Sequence, residues 1–248
     1  MTHASPVPPV DADEALHAAQ VVVFALATLA ELRESDTESH LLRVQHYVRA
    51  LCGELHQNPA YAEALTPAFV ELLVGSVPMY DMGTVGIPDR ILLKPGRLSA
   101  DEIAIMRTHT TLGHDALVRA EKTLGRVSPL LTVAKELTLC HQEKWDGTGY
   151  PKGLWGEQIP LSARIVALAD VYDALISNKV YKDGVPHERA VQILTEGRGA
   201  HFDPAVVDAF LAVHEAFRSI ATRFADTDAD MQQKIEYMAN AIAEVAVL

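Results

Sequence analysis

Cysteine, basic charge and long apolar runs are all scarce in this 248-residue chain. Two cysteines occur, Cys52 and Cys140, in neither a metal-binding nor a redox spacing. That excludes a disulfide framework and suits a reducing compartment. Lys and Arg number 21 against 33 Asp and Glu, a net charge of -12. This argues against general nucleic-acid binding, which needs a concentrated basic surface. A small anionic ligand stays compatible, because a metal ion or a few local cations can reverse the field inside a pocket. The first residues, MTHASPVPPVDADE, lack a basic start and contain three prolines, so no signal peptide is expected. The apolar run Val21 to Leu29 is too short to cross a bilayer. The expectation is a cytoplasmic protein with neither a membrane nor a DNA partner.

What is present is helical patterning. Hydrophobic residues make up 49% of the chain, enough for a substantial core, and alternating strand patterns are nearly absent. Leu41, Val44, Tyr47, Val48 and Leu51 recur at helical spacing and predict a helix over 37–56. Further helices are predicted at about 14–33, 67–80, 128–142, 162–177, 186–196, 203–224 and 228–246. Ser99-Ala100-Asp101-Glu102 has the spacing of a capping box and predicts one helix from there to about residue 120. Asp203-Pro204 supplies an N-cap and a first-turn proline, and Gly197 a stop. Gly86, Pro88 and Pro95 mark 83–96 as an ordered loop, and six Gly and Pro residues break 146–160. The fold class is therefore all-α. The expected organisation is a leader and linker or dimerisation helix over 1–35, one helical domain over 36–225, and a C-terminal helix over 226–248 packed on it.

The residues that suggest chemistry are imidazoles and carboxylates on separate helices, the donor set that hard or borderline divalent metals take. Asp36 and His40 stand at i and i+4, on one helical face. His114 follows His109 by five residues, which rotates it off that face, and it is read as structural. His46, His56, His187 and His214 receive the same reading, and Trp145 and Trp155 are read as loop packing. The run Asp226, Asp228, Asp230 fails as a calcium loop, because Met231 stands where Gly is needed and Tyr237 where a bidentate Glu belongs; it is read as a solvated helix start.

Five segments together resemble the HD-GYP family of bacterial metal-dependent phosphodiesterases. They are Arg43 to Arg49 behind His40; Tyr80-Asp81-Met82-Gly83-Thr84 with Gly86-Ile87-Pro88; Met106 to His109 with Gly113; His141-Gln142-Glu143 with Gly149-Tyr150-Pro151; and Ala169-Asp170-Val171-Tyr172-Asp173. The likeness covers roughly residues 28–215 and implies a helical bundle of the HD-domain type with an N-terminal helical extension. It implies metal ligands at His40, Asp81, His109, His141 and Asp170, with Asp36 a shortened carboxylate where the family has Glu. Two divalent ions are implied, one on His40, Asp81 and Asp170, the other on Asp81, His109 and His141. N/O ligation favours Fe or Mn, with Ni or Zn open. Asp81 is the implied catalytic residue, and Tyr150, Lys179 and Lys182 the substrate-binding ones.

Besides Asp36, four positions depart from the family: Tyr80 replaces a histidine, Thr84 a lysine, Gln142 a histidine and Lys179 an arginine. A neutral phenol is a poor ligand for a divalent ion, and a third ion seen in some members is expected to be absent. The implied activity is hydrolysis of cyclic di-GMP to pGpG and GMP, reduced by the degenerate site. The alternative is an inactive module that senses cyclic di-GMP or binds signalling proteins such as diguanylate cyclases. The apolar first helix makes a homodimer an expectation.

Overall fold

A computed structural model describes residues 12–31, 33, 39–94, 96–178, 183–232, 234–236 and 239. Asp36, Lys179 and Lys182, and most of the helix predicted over 228–246, lie outside them. Among the described residues eleven α-helices are delimited in order: α1 Ala12–Glu31, α2 Ser39–Leu55, α3 Pro59–Ala62, α4 Pro67–Ser76, α5 Asp89–Leu92, α6 Ala100–Arg107, α7 His109–Leu124, α8 Pro129–Cys140, α9 Leu161–Ile176, α10 His187–Glu196 and α11 Pro204–Arg223. No strand occurs among the described residues, apart from one isolated bridge between Arg198 and Phe202. The all-α class is borne out. No helix among the described residues is long and apolar enough to cross a membrane.

The core forms where α2 lies between α9 and α11, with α4 and α8 closing the far side. The helical stripe read from the sequence points there: Val44, Tyr47, Val48 and Leu51 are fully buried. Phe217 stacks on Tyr47 with ring centroids 4.4 Å apart, and Tyr172 meets both edge-on at 5.2 and 5.0 Å. Such ring pairs add about 0.5–1.5 kcal/mol each beyond area burial, and they lock α2, α9 and α11 in register. Caps set the starts. Thr66, Ser99 and Asp203 each accept a bond from a first-turn amide, Ser99 within a complete capping box. The acidic run at 226–230 is indeed a helix start, with Thr227 and Asp230 bonded reciprocally.

Two local predictions are corrected. The helix expected over 99–120 breaks at Thr108 into α6 and α7. Thr108, Thr110 and Thr111 each turn the hydroxyl back onto a carbonyl three residues earlier, which competes with helix continuation. The break makes His109 the first residue of α7. The segment 83–96 is also less irregular than expected, with a 3-10 turn at Met82–Gly86 followed by α5. Arg33, just past α1, donates to the carbonyls of Val85 (2.6 Å) and Ile87 (3.1 Å), tying that turn to the N-terminal helix.

Candidate metal centre

Three chain breaks deliver three donors to one point. Asp81 lies between the 3-10 turns Val77–Met79 and Met82–Gly86, His109 opens α7, and His141 caps α8. The Nε2 atoms of His109 and His141 each lie 3.2 Å from Asp81 Oδ1 and 3.4 Å from one another. Helix ends fix the tautomers. His109 Nδ1 faces the Met106 carbonyl at 2.8 Å, and His141 Nδ1 faces those of Leu137 and Thr138 at 3.1 and 3.2 Å. A carbonyl only accepts, so each Nδ1 carries the proton and donates. Both Nε2 atoms then point lone pairs at each other and at a carboxylate oxygen.

With both imidazoles neutral, that convergence is repulsive unless a positive charge sits in it. Two protonated Nε2 atoms cannot share a 3.4 Å gap, whereas a cation satisfies all three donors at once. Asp81 Oδ1 is sealed from water, and the two Nε2 atoms face it at 3.2 Å. The triad is one of two groups among the described residues able to hold a metal ion. An anionic oxygen and two neutral imidazole nitrogens fit a borderline divalent ion.

The triad exists because backbones approach closely around it. A Cβ on Gly83 would fall 1.9 Å from the His109 carbonyl oxygen and 2.6 Å from the Gly113 amide nitrogen. One on Gly113 would meet Thr138 Cγ2 at 2.6 Å. The Met82–Gly86 turn, α7 and α8 therefore press together through two glycines. Gly83→Ala should destabilise the chain by about 1–3 kcal/mol through overpacking and lower metal affinity by separating Asp81 from His109. Urea unfolding with and without metal measures both; unchanged midpoints would contradict the reading.

His40 and Asp170 sit beside the triad, but Tyr80 joins them. Its hydroxyl donates to Asp170 Oδ1 at 2.6 Å and lies 2.8 Å from His40 Nε2. His40 Nδ1 is held at 2.8 Å by Asp173 Oδ2, which also accepts from Arg43 Nη2 at 2.8 Å, while Arg43 Nε donates to Oδ1 at 2.7 Å. Burial and then Asp81 raise the Asp170 carboxyl, against the pull of His40 and Tyr80. A phenol thus fills the space between His40 and Asp170, whose atoms are 3.7 Å apart. Thr84 turns its hydroxyl onto the Asp81 carbonyl at 2.8 Å and supplies no cation.

Sequence reading missed Glu31. At the end of α1 its carboxylate comes to 4.0 Å from His40 Nε2, and it lines a small cleft with Tyr80 and Asp81. No spacing rule signalled it, because it reaches the site from outside the recognised segments. Also missed were Arg107 and Lys144. They line a cavity of about 260 Å³ with His141, Gln142, Thr148, Tyr150, Asp170 and His201. Arg107 lies over the Tyr150 ring, 5.0 Å from its centroid. Burial, then Asp81, pushes the Tyr150 phenol up to about 12, so it stays protonated. Burial, then Lys144, pushes His201 down to about 4, leaving a neutral imidazole. Glu143 holds the glycine-rich loop by accepting from the amides of Lys152 (2.8 Å) and Leu154 (3.0 Å). Gly149 lies so close to Glu143 and Lys144 that a Cβ would meet their backbone at 2.3–2.6 Å. His114 pairs with Asp115 instead of joining the triad.

Comparison with known proteins identifies the family. The HD domain family matches residues 25–206. A probable cyclic di-GMP phosphodiesterase of Vibrio cholerae is 53% identical over 210 residues, 85% of this chain and 48% of that protein. A cyclic di-GMP phosphodiesterase of Thermotoga maritima is 38% identical over 207 residues, 84% of this chain and 52% of that protein. The chain spans about half the length of the curated relatives it matches. Among solved structures, an HDG"Y"P protein from Bdellovibrio bacteriovorus superposes with a TM-score of 0.53 at 18% identity, over 84% of this chain and 66% of that one, a likeness of fold. The chain belongs to the HD domain family, and its Gly149-Tyr150-Pro151 loop is of the HD-GYP type.

Proposed function

We propose that this chain hydrolyses a phosphodiester bond of cyclic di-GMP at a divalent ion held by Asp81, His109 and His141. The observation that carries the reading is the convergence of two imidazole Nε2 atoms and a carboxylate oxygen, 3.2–3.4 Å apart, beside a cavity with cationic walls. The relatives named as cyclic di-GMP phosphodiesterases support the substrate. When bound, the ion would lower the pKa of water and neutralise charge on the phosphoryl oxygens. Fe or Mn suits the donor set.

The chain's own residues do the rest. The Met106, Leu137 and Thr138 carbonyls keep both imidazoles in the one tautomer that offers Nε2. Arg107 and Lys144 bring positive charge to a chain of net charge -12, at the place a phosphate must enter. Tyr150, held under Arg107, gives a base a ring to pack on. The cavity is about 260 Å³. That is below the ~300–1,000 Å³ usual for enclosed ligands, so part of a cyclic dinucleotide would stay outside. Lys179 and Lys182 are proposed to contact that part.

One ion is proposed, not two, because the Tyr80 hydroxyl closes the gap between His40 and Asp170. Tyr80→His should open a second site there and raise turnover at least ~10-fold, about 1.4 kcal/mol of barrier. Metal counting and initial rates check this; an unchanged count and rate would contradict it. The function is tested by incubating the Mn-loaded chain with cyclic di-GMP and separating the products. Appearance of pGpG supports it, and nucleotide binding without product points to the sensing module.

A further inference from the structure

We infer that His187, His214 and Glu215 form a second metal site, distinct from the triad, which staples α10 to α11 and takes a borderline divalent ion such as Zn²⁺. This is the other group among the described residues whose donor atoms lie mutually within 4.8 Å. His187 is the first residue of α10, while His214 and Glu215 lie just past the middle of α11. His187 Nε2 stands 3.1 Å from His214 Nδ1, and Glu215 Oε1 is 3.7 Å from that same Nδ1. Donors on one tetrahedral Zn²⁺ at ~2.0–2.1 Å are ~3.3 Å apart, so the two nitrogens already have that spacing. Glu215 closes the remaining few tenths of an ångström by rotation, its side chain being 69% exposed.

The surroundings resemble those of a ligating histidine. Such a residue offers one ring nitrogen and is oriented through the other. The Tyr172 hydroxyl sits 2.8 Å from His187 Nδ1, the nitrogen facing away from His214. Tyr172 belongs to the buried ring cluster with Tyr47, Phe210 and Phe217, so its hydroxyl is a fixed anchor. The imidazoles of His187 and His214 stack with centroids 5.3 Å apart and 21° between planes. Two other charges face the site. Arg218 is paired at 3.2 Å with Glu188, which offsets a cation that would oppose a metal. His187 and Arg218 also line a cavity of about 460 Å³ between α9, α10 and α11, which leaves water access to an open coordination position.

Residue spacing gave no hint of this site, because His187 and His214 fall on different helices and each alone reads as packing. An ion there would tie α9, through Tyr172, to α10 and α11. It would be structural, since none of its donors lines the cavity beside the triad.

The test uses the full chain carrying Asp81→Asn, which removes the triad's anionic donor. Equilibrium dialysis against Zn²⁺ and a metal count should find one equivalent per chain in Asp81→Asn. That equivalent should be lost when His214→Gln or His187→Gln is added. The thermal midpoint of Asp81→Asn should also rise on adding Zn²⁺, and cease to do so in Asp81→Asn with Glu215→Gln or His214→Gln. Glu215 and His214 are accessible enough for these changes to leave folding intact, which circular dichroism verifies. No Zn²⁺ on Asp81→Asn, or the same equivalent retained after both histidine changes, overturns the inference, whatever the fate of the proposed hydrolysis.

Discussion

Asp81→Asn should leave the chain folded and reduce cyclic di-GMP hydrolysis by at least ~10³-fold, about 4 kcal/mol of barrier. Asp81 Oδ1 is the one anionic donor among the three and the point on which both histidines converge at 3.2 Å. An amide of the same shape keeps an oxygen but loses the charge that offsets a dication. Folding should survive because the side chain is 32% exposed and makes no hydrogen bond through Oδ1 that the fold depends on. Without metal, relief of the lone-pair crowding offsets part of any lost packing. The decisive pair of measurements is rate and metal content on one preparation. Asp81→Asn should hold one ion fewer than the natural chain. A variant that keeps both its ion and its turnover would show that the chemistry lies elsewhere.

Asp173→Ala should have the largest effect on stability, a loss of about 3–5 kcal/mol, as expected when one partner of a buried ion pair is removed. Asp173 is 1% exposed and accepts from Arg43 Nε, Arg43 Nη2, His40 Nδ1 and Ser177 Oγ. Its removal strands the Arg43 guanidinium, itself 2% exposed, although Asp226 and the Phe224 carbonyl still hold Nη1. Burial alone would raise the Asp173 carboxyl, yet the bonds from His40 and Arg43 win and hold it well below the usual range. A depressed folded-state pKa means that this contribution is complete above the unfolded value near ~3.9 and is lost as pH falls through the lower folded value. Stability of the natural chain should therefore decline from about pH 5 downward, and part of that decline should vanish in Asp173→Asn. Denaturant titrations at several pH values measure both. A loss below about 1 kcal/mol would mean that the Arg43–Asp173–His40 cluster is replaceable by water.

These two aspartates show what the amino-acid order reveals and what it hides. Asp81, His109 and His141 were legible because each sits in a short segment whose neighbours matched a known pattern. The chemical reason they act together was not legible. Each imidazole's tautomer is set by a carbonyl in the last turn of a helix, and the break at Thr108 that makes His109 a helix start was read as continuous helix. Tyr80 was recognised as a lost ligand, but only the folded chain shows its hydroxyl spanning His40 and Asp170.

Asp173 carried no signal, since its partners Arg43 and His40 are 130 and 133 residues away in the chain. Glu31, Arg107 and Lys144 were equally silent, as charged residues whose direction depends on packing. The core was easier. Apolar residues at helical spacing predicted which face of α2 is buried, and caps at Ser99 and Asp203 marked where α6 and α11 begin. His187 and His214 were read as packing from the same single-residue reasoning that serves most histidines well. That reasoning cannot see two helices crossing.

The account rests on a cation held between Asp81, His109 and His141, and anomalous diffraction from Mn²⁺-soaked crystals of the full chain addresses it without reference to activity. A peak within about 2.0–2.3 Å of Asp81 Oδ1 and of both Nε2 atoms is the predicted result. A map without density at that point, or with the ion bound instead between His40 and Asp170, would contradict it.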